Sequence, residues 1–288
     1  MTNRELVRFL VITFVGAFVG QWVVIHFGIQ GPASYGLMIV MWMPGLAALV
    51  GSAGSRLLAC NALKTAGWRM LVPALLIGWS VTALQAALLS LGSWGSWNTQ
   101  NFPIMNGAIR AEGIGLLLGD QWQSYALFAF NWTLTLLAGS LVSVIPALGE
   151  ELGWRAVLQP ELERRMGRMA ATTTVGLIWG YWHLPMNLAG FNDSVHPTLT
   201  AVLLFPIGSV FLSFPFAWLF GRSKSVWPVA LCHGAGDAIL GGLLIRSNSW
   251  AAENISLMLA SILIALPFIV LVIRASTERC EAASGNVP

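Results

Sequence analysis

Apolar residues run along this 288-residue chain in blocks of about 20, separated by short polar or glycine-rich breaks. That block length crosses a hydrocarbon core at about 1.5 Å per residue. Eight such blocks are predicted as spans: Phe9 to Ile29, Tyr35 to Gly54, Met70 to Leu91, Tyr125 to Leu148, Ala170 to Leu188, Leu199 to Gly221, Val226 to Ile245 and Ile255 to Ile273. The fold class they imply is all-α, a polytopic transmembrane helix bundle forming a single integral membrane domain over 1–288. The opening Met-Thr-Asn-Arg-Glu enters an apolar stretch too long for a signal-peptide core, so it is expected to be a retained first span.

Composition points the same way, with 56% hydrophobic and only 9% charged residues, against about 25% charged in a soluble domain. The net charge of +3 comes from basic residues scattered at the ends of the blocks. Without a basic stripe, nucleic acid is not an expected partner, whereas membrane lipid is. If every block crosses, Arg4, Arg8, Arg56, Lys64, Arg69, Arg164, Arg165, Arg168, Arg222, Lys224, Arg274 and Arg279 share one side, and only Arg110 and Arg246 lie on the other. The positive-inside rule then makes both termini cytoplasmic. The connection 92–124, rich in Trp, Gly and Ser, is expected to lie along the outer interface. Pro160–Met169 reads as a short inner surface helix, and the tail from Ala275 as frayed. Cys60, Cys232 and Cys280 have no paired or metal-ligand spacing and read as small apolar fillers.

Ionisable groups within the blocks are few and costly to bury, which makes them candidates for chemistry. Glu150 and Glu151 stop the hydropathy of the fourth block, but Leu152, Trp154, Val157 and Leu158 continue its helical pattern to about Gln159, before Pro160. The carboxylates then lie roughly 15 Å inside the inner end. His183, in the fifth block, lies at roughly 20 Å and His233, in the seventh, at roughly 10 Å by the same rise. Arg155 follows Glu151 by four residues, and Asp237 follows His233 by four, so each pair shares a helix face. Three helices thus carry Glu, His and His/Asp to a comparable level, as sites in bundle cores require. Singly, each has a plainer reading: an aqueous loop at 150–155, a core histidine bonded to a backbone carbonyl freed near Pro185, a structural bond between His233 and Asp237. Ser143 and Ser209 lack a base at catalytic spacing. His26 and His196 fall at or beyond outer ends, and Asn187 shares a face with His183 near the outer end.

In order along the chain, Glu150-Glu151-x-x-x-Arg155, Trp179-x-x-x-His183 and His233-x-x-x-Asp237 resemble the three motifs of the CaaX prenyl endopeptidase/Abi (CPBP) family of membrane proteases and bacteriocin-processing enzymes. The resemblance covers a catalytic core of about 133–243. Trp179 stands where the family commonly has Phe, and Asp237 where the prenyl endopeptidases have Asn. What it implies is an intramembrane endopeptidase in which Glu150 activates a water held with His183, Glu151 and Arg155 fix the geometry, and His233, oriented by Asp237, stabilises the oxyanion. No cofactor is required in this version. In a second, Glu150, His183, His233 and Asp237 bind a divalent metal such as zinc, although no HExxH helix is present. The implied substrate is a peptide or protein, prenylated or bearing a leader. The short loops suggest a bacterial cytoplasmic membrane, with the site cavity open to the cytoplasm. A non-catalytic immunity or scaffold protein and a small proton-coupled transporter remain as alternatives, although no inverted repeat supports the latter.

Overall fold

The computed structural model describes residues 1–29, 31–50, 62–64, 67–238 and 244–284, with 275–284 as backbone only. Helix α1 (Asn3–Phe27) starts at Thr2, whose hydroxyl accepts the Glu5 N–H while the Glu5 carboxylate accepts the Thr2 N–H, a reciprocal cap. A 3₁₀ turn (Pro32–Gly36) leads into α2 (Leu37–Val40) and α3 (Met43–Leu49), which return alongside α1. Helix α4 (Trp68–Leu91) follows.

The connection after α4 holds four short strands, β1 (Gly95–Trp97), β2 (Ile104–Met105), β3 (Ala108–Ile109) and β4 (Gln123–Ser124). Strands β2, β3 and β4 form an antiparallel sheet in which Ile104 faces Ile109 and Ala108 faces Ser124. This segment is a small folded cap. Phe102, Ile109, Ala111 and Leu116 turn inward onto Phe128 and Trp132 of the next helix, and the Trp97 indole N–H is spent on the Phe102 carbonyl at 2.7 Å. Trp94 and Trp122 stay exposed.

Helix α5 (Tyr125–Gly153), a π turn (Trp154–Leu158) and α6 (Gln159–Met166) form one continuous 42-residue rod. Pro160 therefore does not end the helix as expected. It lacks an N–H and would press on the carbonyl four residues back, and the wider turn just upstream, where the Gln159 N–H reaches the Trp154 carbonyl, relieves both effects. A second π turn (Thr200–Leu204) stands in the same relation to Pro206.

After a turn at Gly167, α7 (Arg168–Trp182) and the one-turn α8 (Leu184–Leu188) are separated by His183. Then come α9 (Pro197–Leu199), the second π turn, α10 (Phe205–Ser223), α11 (Val226–Asp237), β5 (Ile245–Ser247), antiparallel to β1, and α12 (Trp250–Ser284). Helix α12 runs through the stretch expected to fray from Ala275, a segment rich in helix formers such as Glu and Ala.

Among the described residues, six helical segments are long and apolar enough to cross a membrane. The other two predicted blocks are the broken α7–α8 pair and the 12-residue α11. The second and third motifs thus sit near the ends of helices, whereas the first lies within the long rod. Loops gather at two ends as alternate crossing requires. At one end Arg165 bonds Asn3 and the Met1 carbonyl, and the Val226 N–H bonds the Ala62 carbonyl. At the other lie the β1–β5 pair and the 2.6 Å bond from Trp250 to Asp193. Outward faces are apolar, with Val7, Val15, Leu76, Ile145 and Leu266 exposed, as a lipid-facing surface demands.

Small residues set the close helix approaches. A Cβ at Gly234 would come within 2.8 Å of the Ser143 carbonyl carbon and the Val144 nitrogen, so α11 lies backbone to backbone on α5. At Gly180 it would come within 2.5 Å of Pro206 Cα, so α7 lies as close to α10. Arg56, Cys60 and Gly241–Gly242 lie outside the described residues, as do the side chains of Arg279 and Cys280. Cys232 is buried and free.

Candidate active site

The interior of this bundle is unusually polar. Glu150, Glu151 and Arg155 have no exposed surface, and His233 retains only 6%. The extended helix places both glutamates in the last turn of α5 and Arg155 in the π turn that follows. The aqueous-loop reading of 150–155 is thereby excluded.

Glu150 is held by two indoles. Its Oε2 accepts the Trp179 N–H at 2.6 Å and the Trp154 N–H at 3.2 Å, while its Oε1 is buried without a protein partner. Trp154 lies four residues after Glu150 on the same helix face, a relation visible in the sequence. Trp179, standing where the family commonly has Phe, supplies the shortest bond to the carboxylate.

Glu151 faces the other way. Its Oε1 accepts Arg155 Nη1–H at 3.2 Å and His233 Nδ1–H at 2.8 Å, tying α5 to α11, and its Oε2 has no partner. Arg155 Nη2 donates to Ser213 Oγ at 3.2 Å, and the guanidinium packs against the rings of Trp179 and Phe216 at 5.1 and 4.8 Å from their centroids. Neither Ser213 nor Phe216, one helix away in an otherwise ordinary apolar segment, had a signal that could have singled it out.

His233 Nε2 stands 3.6 Å from Asp237 Oδ2, a charge contact too long for a hydrogen bond. The bond that orients this imidazole therefore comes from Glu151, across helices. His183 closes α7, and its N–H turns back to the Gly180 carbonyl. That leaves the Trp179 carbonyl to accept His183 Nδ1–H at 2.9 Å. A carbonyl only accepts, so the proton is on Nδ1, and in the neutral ring Nε2 keeps its lone pair. The expected backbone bond of a core histidine is thus present, and it sets the tautomer. His183 also touches the edge of Trp179, whose indole holds Glu150.

The structure brings Glu150, Glu151, Arg155, His233 and Asp237 into one network and links His183 to it through Trp179. Among the described residues, no group of three or more His, Cys, Asp or Glu is arranged to hold a metal ion. Asn187 is buried but bonds Asn192, outside this network. Ser209 bonds its own helix at the Phe205 carbonyl. His26 stacks on Trp22 and His196 meets Trp250 edge to face, both away from the network.

Comparison with curated proteins finds no match. Residues 130–239, which hold all three motifs and every member of the network, match the family model described as type II CAAX prenyl endopeptidase Rce1-like.

Proposed function

We propose that this protein hydrolyses a peptide bond within the membrane with Glu150 as general base. The observation that carries this reading is the asymmetry of the Glu150 carboxylate: one oxygen is fastened by two indole N–H groups, and the other is buried with no protein partner. Such a carboxylate is fixed in direction yet has an oxygen to offer a water. Glu150 Oε1 takes a proton from that water as its oxygen adds to the scissile carbonyl carbon. His183 Nε2, the free nitrogen of a ring fixed at Nδ1, accepts a hydrogen bond from the same water. Carbonyl electrons move onto oxygen, and His233, protonated at both nitrogens between the Glu151 and Asp237 carboxylates and oriented by Glu151, donates its Nε2–H to the oxyanion. The tetrahedral intermediate collapses as the proton passes from Glu150 to the leaving amine, and the C–N bond breaks.

Arg155 neutralises Glu151, which lets Glu151 orient His233 without adding a second uncompensated charge beside Glu150. The substrate is a peptide reached near its C-terminus or next to a hydrophobic anchor, either a prenylated tail or a leader-bearing precursor. It enters from the end of the bundle where the basic residues gather, which the positive-inside rule makes cytoplasmic, as it does both termini. This reading requires no metal, and the chelator arm of the test below separates it from the metal-assisted version.

The test is cleavage of prenylated and leader-peptide substrates by purified wild type and Glu150→Gln, each with and without a chelator. The expected result is activity that survives chelation and is lost in Glu150→Gln. Activity abolished by chelator would replace this reading with the metal-assisted one, and activity unaffected by Glu150→Gln would refute the assignment of the base.

A further inference from the structure

Helix α1 carries only two buried polar side chains, Thr13 and Gln21. Gln21 is 2% exposed, in a lipid-facing helix, where an amide needs partners to be tolerated. Its partners are both on one segment of chain. Gln21 Nε2–H donates to the Trp182 carbonyl at 2.8 Å, and Gln21 Oε1 accepts the Met186 N–H at 3.2 Å.

Trp182 and Met186 are four residues apart, so in an unbroken helix that carbonyl and that N–H would bond each other. They do not, because Pro185 has no N–H and its ring cannot pack under the carbonyl of Tyr181, which opens the helix between α7 and α8. A primary amide presents one donor and one acceptor from the same planar group, as a peptide unit does. The Gln21 side chain is thus inserted into the helix ladder in place of the missing bond, one recognised cause of a helix kink. The residue enclosed by the splice is His183, with φ −85° and ψ 2°, outside both flanking helices.

We infer that Gln21 is a positioning residue for His183, holding open the helix break that aims the imidazole at the site. The inference rests on the reading of His183 as a site residue, but it makes a claim about geometry that does not depend on proteolysis. It also places part of the site's support on α1, outside the segment 130–239 that matches the family. Splaying the break by an ångström is enough to lower turnover about 100-fold without changing ground-state binding, since the loss is one of alignment.

The test uses full-length protein with ¹⁵N-labelled histidine rings. The chain has four histidines, so the His183 signals are assigned from their loss in His183→Asn. In wild type they should report the Nδ1–H tautomer. Gln21→Leu is expected to shift these signals toward a mixture of tautomers or ring orientations, leave the His233 signals in place, and lower kcat about 10- to 100-fold with KM within about 2-fold. Val11→Leu, on the exposed face of the same helix, should change neither. Where Gln21→Leu does not accumulate, Gln21→Asn, one methylene too short for both bonds, serves instead. Unchanged His183 ring signals in a folded Gln21 variant would overturn the inference, whatever its thermal stability. A Gln21-dependent His183 spectrum in a protein that cleaves nothing would instead uphold the splice and refute the peptidase reading.

Discussion

Replacing Arg155 by Met tests the electrostatics of the buried network directly. Arg155 and Glu151 both have side chains with no exposed surface, and their closest atoms are 3.2 Å apart. Met retains most of the stem volume but removes the charge, the bond to Ser213 and the contacts with the Trp179 and Phe216 rings. The larger loss is at Glu151, left in a dry interior with only the His233 N–H. Breaking a buried pair from one side costs about 3–5 kcal/mol, chiefly for the charge left behind. Glu151→Gln should cost about as much, because it strands the guanidinium instead. The double variant Arg155→Met/Glu151→Gln strands neither and should lose much less than the sum of the singles. Reversible unfolding in mixed micelles measures all four corners of this cycle, with an expected coupling of at least about 2 kcal/mol. Singles that add to within about 0.5 kcal/mol, as distant independent sites do, would refute the claim that the two groups stabilise one another.

Trp179→Phe retains an aromatic ring and removes the 2.6 Å donor to Glu150; a drop in kcat of about 10-fold, with KM little changed, is expected from losing a bond to a charged group. Trp154→Phe, whose bond is longer at 3.2 Å, should do less, and steady-state kinetics of the pair would show it. Gly234→Val drives a side chain into the backbone of α5 at Ser143 and Val144, so overpacking of about 1–3 kcal/mol should accompany loss of the Glu151–His233 bond, read as a lowered unfolding midpoint and a shifted His233 ring signal. At the opposite end, partial burial raises the pKa of Asp193, but bonds from Thr200, the His196 N–H, Trp250 and the Val195 N–H outweigh it and hold the group at about 2. With the folded value below the unfolded one of about 3.9, this stabilisation is present above pH 4 and disappears as pH falls through 2. After allowance for solvent screening it is worth about 1–2 kcal/mol, and Asp193→Ala should flatten the dependence of stability on pH between 2 and 4, as acid titration of unfolding would record.

Features that depend on local geometry could be read directly from the residues. Blocks of about 20 apolar residues specify a membrane bundle because the backbone must satisfy itself in lipid. A constant rise per residue let the depths of Glu150, His183 and His233 be compared across three helices before any packing was known. The four-residue spacing put Arg155 beside Glu151 and Asp237 beside His233, and both pairs are found in contact. Long-range choices had no such record. Glu151, 82 residues from His233, takes the orienting bond that the sequence had suggested for Asp237. The Trp179 indole reaches Glu150 across 29 residues of chain. Gln21, 161 residues from the carbonyl it bonds, reads in the sequence as a stray polar residue in a lipid-facing helix. Periodicity determines which face of a helix a residue occupies, but the partner on that face is chosen only when helices distant in sequence pack and their buried polar groups must satisfy one another.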